Sequence, residues 1–403
     1  MNGAPDINAI LVLLIGITTA CAMVLRTVCE RLGLPPLVGF LLLGVGISAA
    51  DNAAPFLSPN AHHGLELLAS LGLVALLFRV GLGLNPHKLL AKLPGASLIW
   101  LGNVVVSGLL GYATAHWVLG IELIPSLVIA VALTATSIGV IMPVWEDAGA
   151  LDDDSGNLTV DVAELDDISG VVLMALLFAT LPVLQAGNGA FWPCPAAPPP
   201  ADQALRFAGF TAFCWLFAHY AEPALYRALH RWEQPPERLL TVVGLGAAIA
   251  AVAGVLGFSL AVGALFAGLV FSAYPERVQT DRSYQALYNF LTPYFFIGIG
   301  LRFAPELLLT AVGMGLVLLV AAVAGKLIGT YLPAWLTTDR ASAQLIAVSM
   351  VPRAEISMVI VHQAHQLGPW ALTDGLYGAM AVVSLLTCML TPPVLKRMLA
   401  GRA

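Results

Sequence analysis

The sequence predicts an all-α polytopic membrane protein of about thirteen transmembrane helices. Three observations carry that prediction: the composition, the number and length of the apolar segments, and the placement of the basic residues. Of 403 residues, 59% are hydrophobic and 10% charged, with a mean hydropathy of +0.87. Soluble domains instead average about 25% charged and about 45–50% apolar residues. The net charge of −6 says little about partners, because most charges fall in connections at the water interface. The 18 Lys and Arg form no basic stripe, so nothing points to nucleic acid, and membrane lipid is the surroundings the chain must meet. Five cysteines (Cys21, Cys29, Cys194, Cys214 and Cys388) show no disulfide or metal spacing and read as packing residues.

A helix needs about 20 apolar residues to cross the hydrocarbon core. Thirteen segments meet that need, at about 7–26, 34–50, 64–84, 93–118, 123–144, 157–182, 205–230, 239–256, 258–274, 284–303, 305–333, 341–367 and 373–398. The first, in MNGAPDINAILVLLIGITTACAMVLR, lacks the positive start of a signal peptide and reads as a retained membrane helix. The eighth and ninth are short and separated by GVLGFSL; PCPAAPPPAD at 193–202 reads as a Pro-rich surface loop. Arg26, Arg31, Lys88, Lys92, Arg227, Arg231, Arg238, Arg277, Arg282, Arg340, Lys396, Arg397 and Arg402 occupy odd-numbered connections and the C-terminus. Only Arg206 and Arg302 occupy the even-numbered side. That asymmetry places the N-terminus outside and the C-terminus in the cytoplasm. Thirteen spans with the seventh (205–230) as linker divide into residues 1–182 and 239–398, two six-helix units of opposite orientation, an inverted-repeat plan.

Ionisable residues inside spans carry the functional signal, since each costs at least about 2.5–3.5 kcal/mol at the bilayer centre. The sixth span holds Asp161, Glu164, Asp166 and Asp167; the third holds Arg79, the eleventh Lys326, and the twelfth Arg353 and Glu355. A buried ion pair that only fixes helix packing suits Arg353 and Glu355 best. It suits the adjacent aspartates poorly, because neighbours on a helix point about 100° apart and one cation cannot easily serve both. Such a pair titrates as a coupled unit and can exchange protons for a small hard cation. In the fifth span LTATSIGVIMP places Thr134, Thr136, Ser137, Gly139 and Pro143 in an apolar run, and in the twelfth SMVPRAEIS places Pro352 mid-span. An interior proline frees a carbonyl, and paired interrupted helices in corresponding positions point to a transporter's binding site. His362 and His365 share a helical face at i,i+3 but lack the further ligands a zinc site needs.

These motifs, in order, resemble the second branch of the monovalent cation:proton antiporter superfamily over essentially the whole chain. The resemblance rests on RLGLPPLVGFLLLGVGIS, LELLASLGLVALLFRVGL, LTATSIGV, GNLTVDVAELDDISGVVLMAL, FLTPYFFIGIGLRF, AGKLIGTY and SMVPRAEISMVI. It implies two crossed discontinuous helices, a moving core domain beside a dimerisation domain, and a homodimer in the cell membrane, most simply a bacterial inner membrane. It also implies exchange of Na+ or Li+ for H+ by alternating access in the service of pH homeostasis, with no enzyme activity and no cofactor beyond the transported ions. Asp167 would be the obligatory ion carrier. Asp166 together with Lys326 marks the electrogenic sodium class, whereas Asn or Gln at the Asp166 position marks electroneutral or potassium-efflux classes. Lys326 would pair with Asp166 and release its proton when a cation binds. Thr136, Ser137 or nearby carbonyls would add oxygen ligands, and Arg353 and Glu355 would be structural charges.

The chain departs from that pattern at Arg79, at Gly83, at Asp161 and Glu164, and in the acidic connection WEDAGALDDDSGN, which reads as a solvated run or a cation-attracting mouth. Arg79 is expected to neutralise Asp161 or Glu164. Potassium/proton exchange or efflux, and Na+-coupled transport of an organic solute, remain alternatives within the same fold. An intramembrane aspartyl protease is disfavoured, because its two aspartates must face each other across a shared proton.

Overall fold

The computed structural model describes residues 7–83, 86–186, 201–221, 237–256, 259–272, 282–302 and 308–401. Helix is their only regular structure: α1 (Ile7–Arg31), α2 (Pro36–Ala53), α3 (Pro59–Gly83), α4 (Pro86–Ala113, ending in a π turn Thr114–Val118), α5 (Leu123–Thr134), α6 (Ile138–Asp147), α7 (Asp154–Ala186), α8 (Ala201–Leu216, ending in a π turn Phe217–Ala221), α9 (Glu237–Val255), α10 (Leu260–Val270), α11 (Arg282–Leu301), α12 (Leu308–Thr337), α13 (Arg340–Ser349), α14 (Glu355–Leu367) and α15 (Asp374–Ala400). Each of the thirteen segments read from the sequence contains helix, and the fifth and twelfth are each two helices. Among the described residues, seven helices are long and apolar enough to cross a membrane. Large apolar side chains such as Trp117 (75% exposed) and Leu336 (77%) stand on the surface, where a bilayer or another apolar partner makes them inexpensive. The stretch 193–200, with Cys194, and basic residues Arg227, Arg231, Arg277 and Arg402 lie outside the described residues.

Local chemistry explains several boundaries. Asp339 starts α13 by accepting hydrogen bonds from the Ala341 and Ser342 N–H groups at 3.0 and 3.1 Å, the N-cap role for which Asp is suited. Gly368 ends α14 at a φ of 117°, a backbone conformation glycine adopts without strain.

The chain divides into two compact units, each drawing on both halves of the sequence. One comprises Met1–Ala20, Pro55–Pro86 and Ala190–Gly298. There α3 and α10 meet backbone to backbone at Gly81 and Gly268, where any Cβ would overlap the facing chain. Phe78, Leu82, Phe210, Ile249, Phe271 and Tyr284 pack around that contact. The other comprises Cys21–Ala54, His87–Gly189 and Ile299–Ala403. Its core is Ile99, Trp145, Val162, Leu165, Ile346 and Met350, and it holds both interrupted helices and the Asp166–Asp167 turn.

Candidate functional site

The site starts from two failures of helix. In the fifth span α5 stops at Thr134 and α6 begins at Ile138, with Ala135 and Ser137 extended at φ −66°, ψ 147° and φ −109°, ψ 99°. Of the run from Thr134 to Pro143 read as interrupted, the break takes the hydroxyl-rich residues, and Pro143 sits inside α6. In the twelfth span α13 stops at Ser349 and α14 begins at Glu355, so Pro352 does lie in the break. The breaks touch: the Ser137 N–H donates to Pro352 O at 2.9 Å. In a continuous helix that N–H would serve Leu133 O, which here accepts from Arg353 Nε and Nη2 at 3.1 and 2.8 Å.

Each of the last three carbonyls of α5 is met by a side chain from outside that helix. Ser357 Oγ donates to Ala132 O at 2.6 Å, Arg353 to Leu133 O, and Lys326 Nζ to Thr134 O. Arg353 also reaches Val351 O at 2.9 Å and Ala322 O at 3.0 Å. The expected Arg353–Glu355 ion pair does not form. Arg353 spends its donors on backbone carbonyls, and Glu355 Oε2 accepts from Ser137 Oγ at 2.5 Å. Residue 353 lies in the non-helical break and residue 355 is the first of α14, so the two do not project as neighbours on one helix.

On α7, Asp166 and Asp167 have different surroundings. Asp166 is fully buried; its Oδ2 accepts from Lys326 Nζ at 2.7 Å and from Thr136 Oγ1, while Oδ1 has no partner among the described residues. Its backbone carbonyl accepts from Ser169 Oγ at 2.9 Å, which in turn accepts from Trp100 Nε1 on α4 at 3.1 Å. Thr136 Oγ1 also lies 3.2 Å from Met350 O in the second break. Asp167 is half-buried and, among the described residues, makes no hydrogen bond or ion pair. One carboxylate is therefore clamped between a cation and a hydroxyl, and the other is free to change its ligand.

The remaining predicted residues lie further out. Asp161 is half-buried and Glu164 exposed. Arg79, expected to neutralise one of them, holds its guanidinium carbon 4.4 Å from the centroid of the Tyr288 ring, a cation–π arrangement. The acidic connection of residues 148–153 is largely exposed. His365 pairs with Asp374 at 2.7 Å and His362 meets Tyr377 and Gln366. Cys388, read only as packing, donates from Sγ to Arg353 O at 3.2 Å. Sequence reasoning missed the Ser357 and Trp100–Ser169 contacts; the polar residues were visible, but nothing local named their partners.

Known proteins share this arrangement of helices. The chain is 25% identical to the high-affinity Na(+)/H(+) antiporter NhaS3 of Synechocystis sp. across 93% of this chain and 86% of that protein. It is 26% identical to the Na(+)/H(+)-K(+) antiporter GerN of Bacillus cereus across 91% and 90%. Its fold matches the sodium proton antiporter MjNhaP1 from Methanocaldococcus jannaschii with a TM-score of 0.67, covering 97% of this chain and 98% of that one at 14% identity. Residues 17–401 match the family described as sodium/hydrogen exchanger, transmembrane. The chain thus belongs to the sodium/hydrogen exchanger family and is a multi-pass membrane transporter rather than an enzyme.

Proposed function

We propose that this chain exchanges Na+ or Li+ for H+ by alternating access and that Asp167 is the carrier. The observation supporting this reading is the contrast on one turn of α7: Asp166 is sealed and paired with Lys326, whereas Asp167 is half-buried and unbonded. A carboxylate can hold a proton or coordinate a cation through the same oxygens, so the two substrates exclude one another. Thr136, Ser137 and the carbonyls of the breaks are the further oxygen ligands, and Asp166 with Lys326 sets the charge moved per cycle. If one arriving cation displaces the proton of Asp167 and the paired Lys326 gives up its proton as well, two protons leave for each cation, so exchange carries current. The basic-residue asymmetry supports an N-terminus outside and a C-terminus in the cytoplasm. The family resemblance supports a homodimer in a bacterial inner membrane with inverted repeats at 1–182 and 239–398.

Currents across proteoliposomes on a solid support test the reading, comparing Na+, Li+ and K+. The expected outcome is current with Na+ or Li+, abolished by Asp167→Asn, with the charge moved altered by Asp166→Asn. Potassium is included because the relative GerN is a Na(+)/H(+)-K(+) antiporter by name; current with K+ alone would replace the cation and keep the carrier. Full current from Asp167→Asn would overturn the carrier assignment.

A further inference from the structure

The seam between α4 and α12 is unusually close. A Cβ on Gly102 would stand 2.6 Å from Gly329 O, and one on Gly325 would stand 3.0 Å from Ser107 Cα, so the two backbones touch. Small residues allow such an approach in membrane helices, but they do not explain why polar groups are sealed inside it. Thr330 Oγ1 and Asn103 Oδ1 share a hydrogen bond at 3.2 Å. Asn103 Nδ2 and Ser107 Oγ have no partner among the described residues, although Asn103 is 0% and Ser107 1% exposed. Exchanging the amide oxygen and nitrogen changes which end is bonded, and still leaves one end bare.

Both groups pack against the stretch of α12 that carries Lys326, at Gly325, Gly329 and Thr330. Ser107 lies against Gly325, the residue before Lys326, and the next residue of α4, Gly108, faces the Thr134 side chain at 3.3 Å from where its Cβ would stand. Thr134 supplies the carbonyl that accepts from Lys326 Nζ, and Thr330 is one turn along from Lys326 on the same helix. An ammonium carries three N–H bonds, and the described residues supply Nζ with two acceptors, Thr134 O and Asp166 Oδ2. We infer that Asn103, Ser107 and Thr330 position Lys326 through a buried water. That water accepts from the third N–H of Lys326 and from Asn103 Nδ2, and donates to Ser107 Oγ. Three such bonds are the usual number for a buried water, which settles on otherwise unsatisfied polar groups.

The charged groups acting on Lys326 are Asp166 and Asp167 of α7 and Arg353 of the second break. The facing stretch of α4 from Trp100 to Gly111 and the whole of α5 carry no titratable side chain. Arg340 starts α13 at an exposed position, and Cys388 of α15 is bonded to Arg353 O. The neutral polar groups of α4 and α12 are therefore the part of the lysine's surroundings that can be altered without changing charge. The inference rests on the proposed role of Lys326 in exchange, and its test separates the two. Losing a partner of the ammonium weakens the protonated form that opposes cation binding.

Exchange by the full-length reconstituted chain is measured for Ser107→Ala, Asn103→Leu and Thr330→Val, each alone and with Lys326→Gln. Cation-dependent thermal stabilisation gives the same affinity for any variant that transports too slowly. The expected result is an apparent Na+ affinity tighter by about threefold to tenfold, the size of one lost hydrogen bond, with the pH profile moved toward acid. Thr330→Ser, which keeps the hydroxyl, stays within about twofold of wild type, and Ser107→Ala changes nothing further once Lys326 is Gln. An equal shift in the Lys326→Gln background, or no shift where Lys326→Gln itself produces one, overturns the inference. A Lys326→Gln protein with wild-type Na+ and pH dependence instead overturns the role of the lysine on which it rests.

Discussion

At the break between α5 and α6, the last three carbonyls of α5 are taken by Ser357, Arg353 and Lys326. At the break between α13 and α14, Met350 O faces the Thr136 hydroxyl, Pro352 O the Ser137 N–H, and Arg353 O the Ser384 hydroxyl. The first is thus completed by two cations and a hydroxyl from elsewhere, while the second is completed by neutral donors and by its own Arg353, which bonds Val351 O. The C-terminal end of a helix carries partial negative charge, which cations stabilise. Two buried cations at the end of α5 make that break dependent on charge, and the second break depends on hydrogen bonds that can substitute for one another. The two kinds of closure respond differently to substitution.

Arg353→Met breaks the comparison most severely. It keeps a long apolar side chain but leaves Leu133 O and Val351 O without their side-chain donors, at about 1–3 kcal/mol each for a buried unsatisfied carbonyl. The expected outcome is a marked fall in folded, monodisperse protein after detergent extraction and the lowest melting temperature among the break variants. If the purified Arg353→Met protein melts with wild type, the first break does not depend on its cation.

Ser357→Ala removes one neutral donor from the same helix end, leaving Ala132 O bare while both cations remain. The expected cost is about 1–3 kcal/mol, read as a melting temperature between those of Arg353→Met and wild type. A loss as large as that of Arg353→Met would mean that the number of carbonyls, and not the charge opposite them, holds the break.

The same contrast decides what was legible in the sequence. Helix number followed from run length, because a lipid-embedded segment must satisfy its backbone internally and so declares itself by length and apolarity. The second break was legible too, since Pro352 marks it locally. The first was legible only as the run from Thr134 to Pro143, and its place at residues 135–137 was not, because that is decided by donors far along the chain: Lys326 is 192 residues from Thr134, and Arg353 is 220 from Leu133. The same blindness produced the expected Arg353–Glu355 pair, which assumed a helix through residues that are not helical. Asp166 and Asp167 were visible as a pair, but the difference between them depends on Lys326 and Thr136 closing over one carboxylate only.

Ser384→Ala at the second break has the smallest expected effect and sharpens the comparison most finely. Its hydroxyl donates to Arg353 O at 2.7 Å, yet Cys388 Sγ stands 3.2 Å from the same oxygen. The carbonyl keeps a weak partner when the serine goes, so the cost should fall to about 0.5–1 kcal/mol. Cys388→Ala alone should cost no more, because the serine remains. Removing both leaves Arg353 O without a side-chain donor, so the double variant should lose more than the sum of the singles, which is the behaviour expected of groups sharing one partner. A melting series on the four proteins measures this directly. Strict additivity would mean that serine and cysteine do not substitute for one another, and the second break would then be as intolerant of a lost donor as the first.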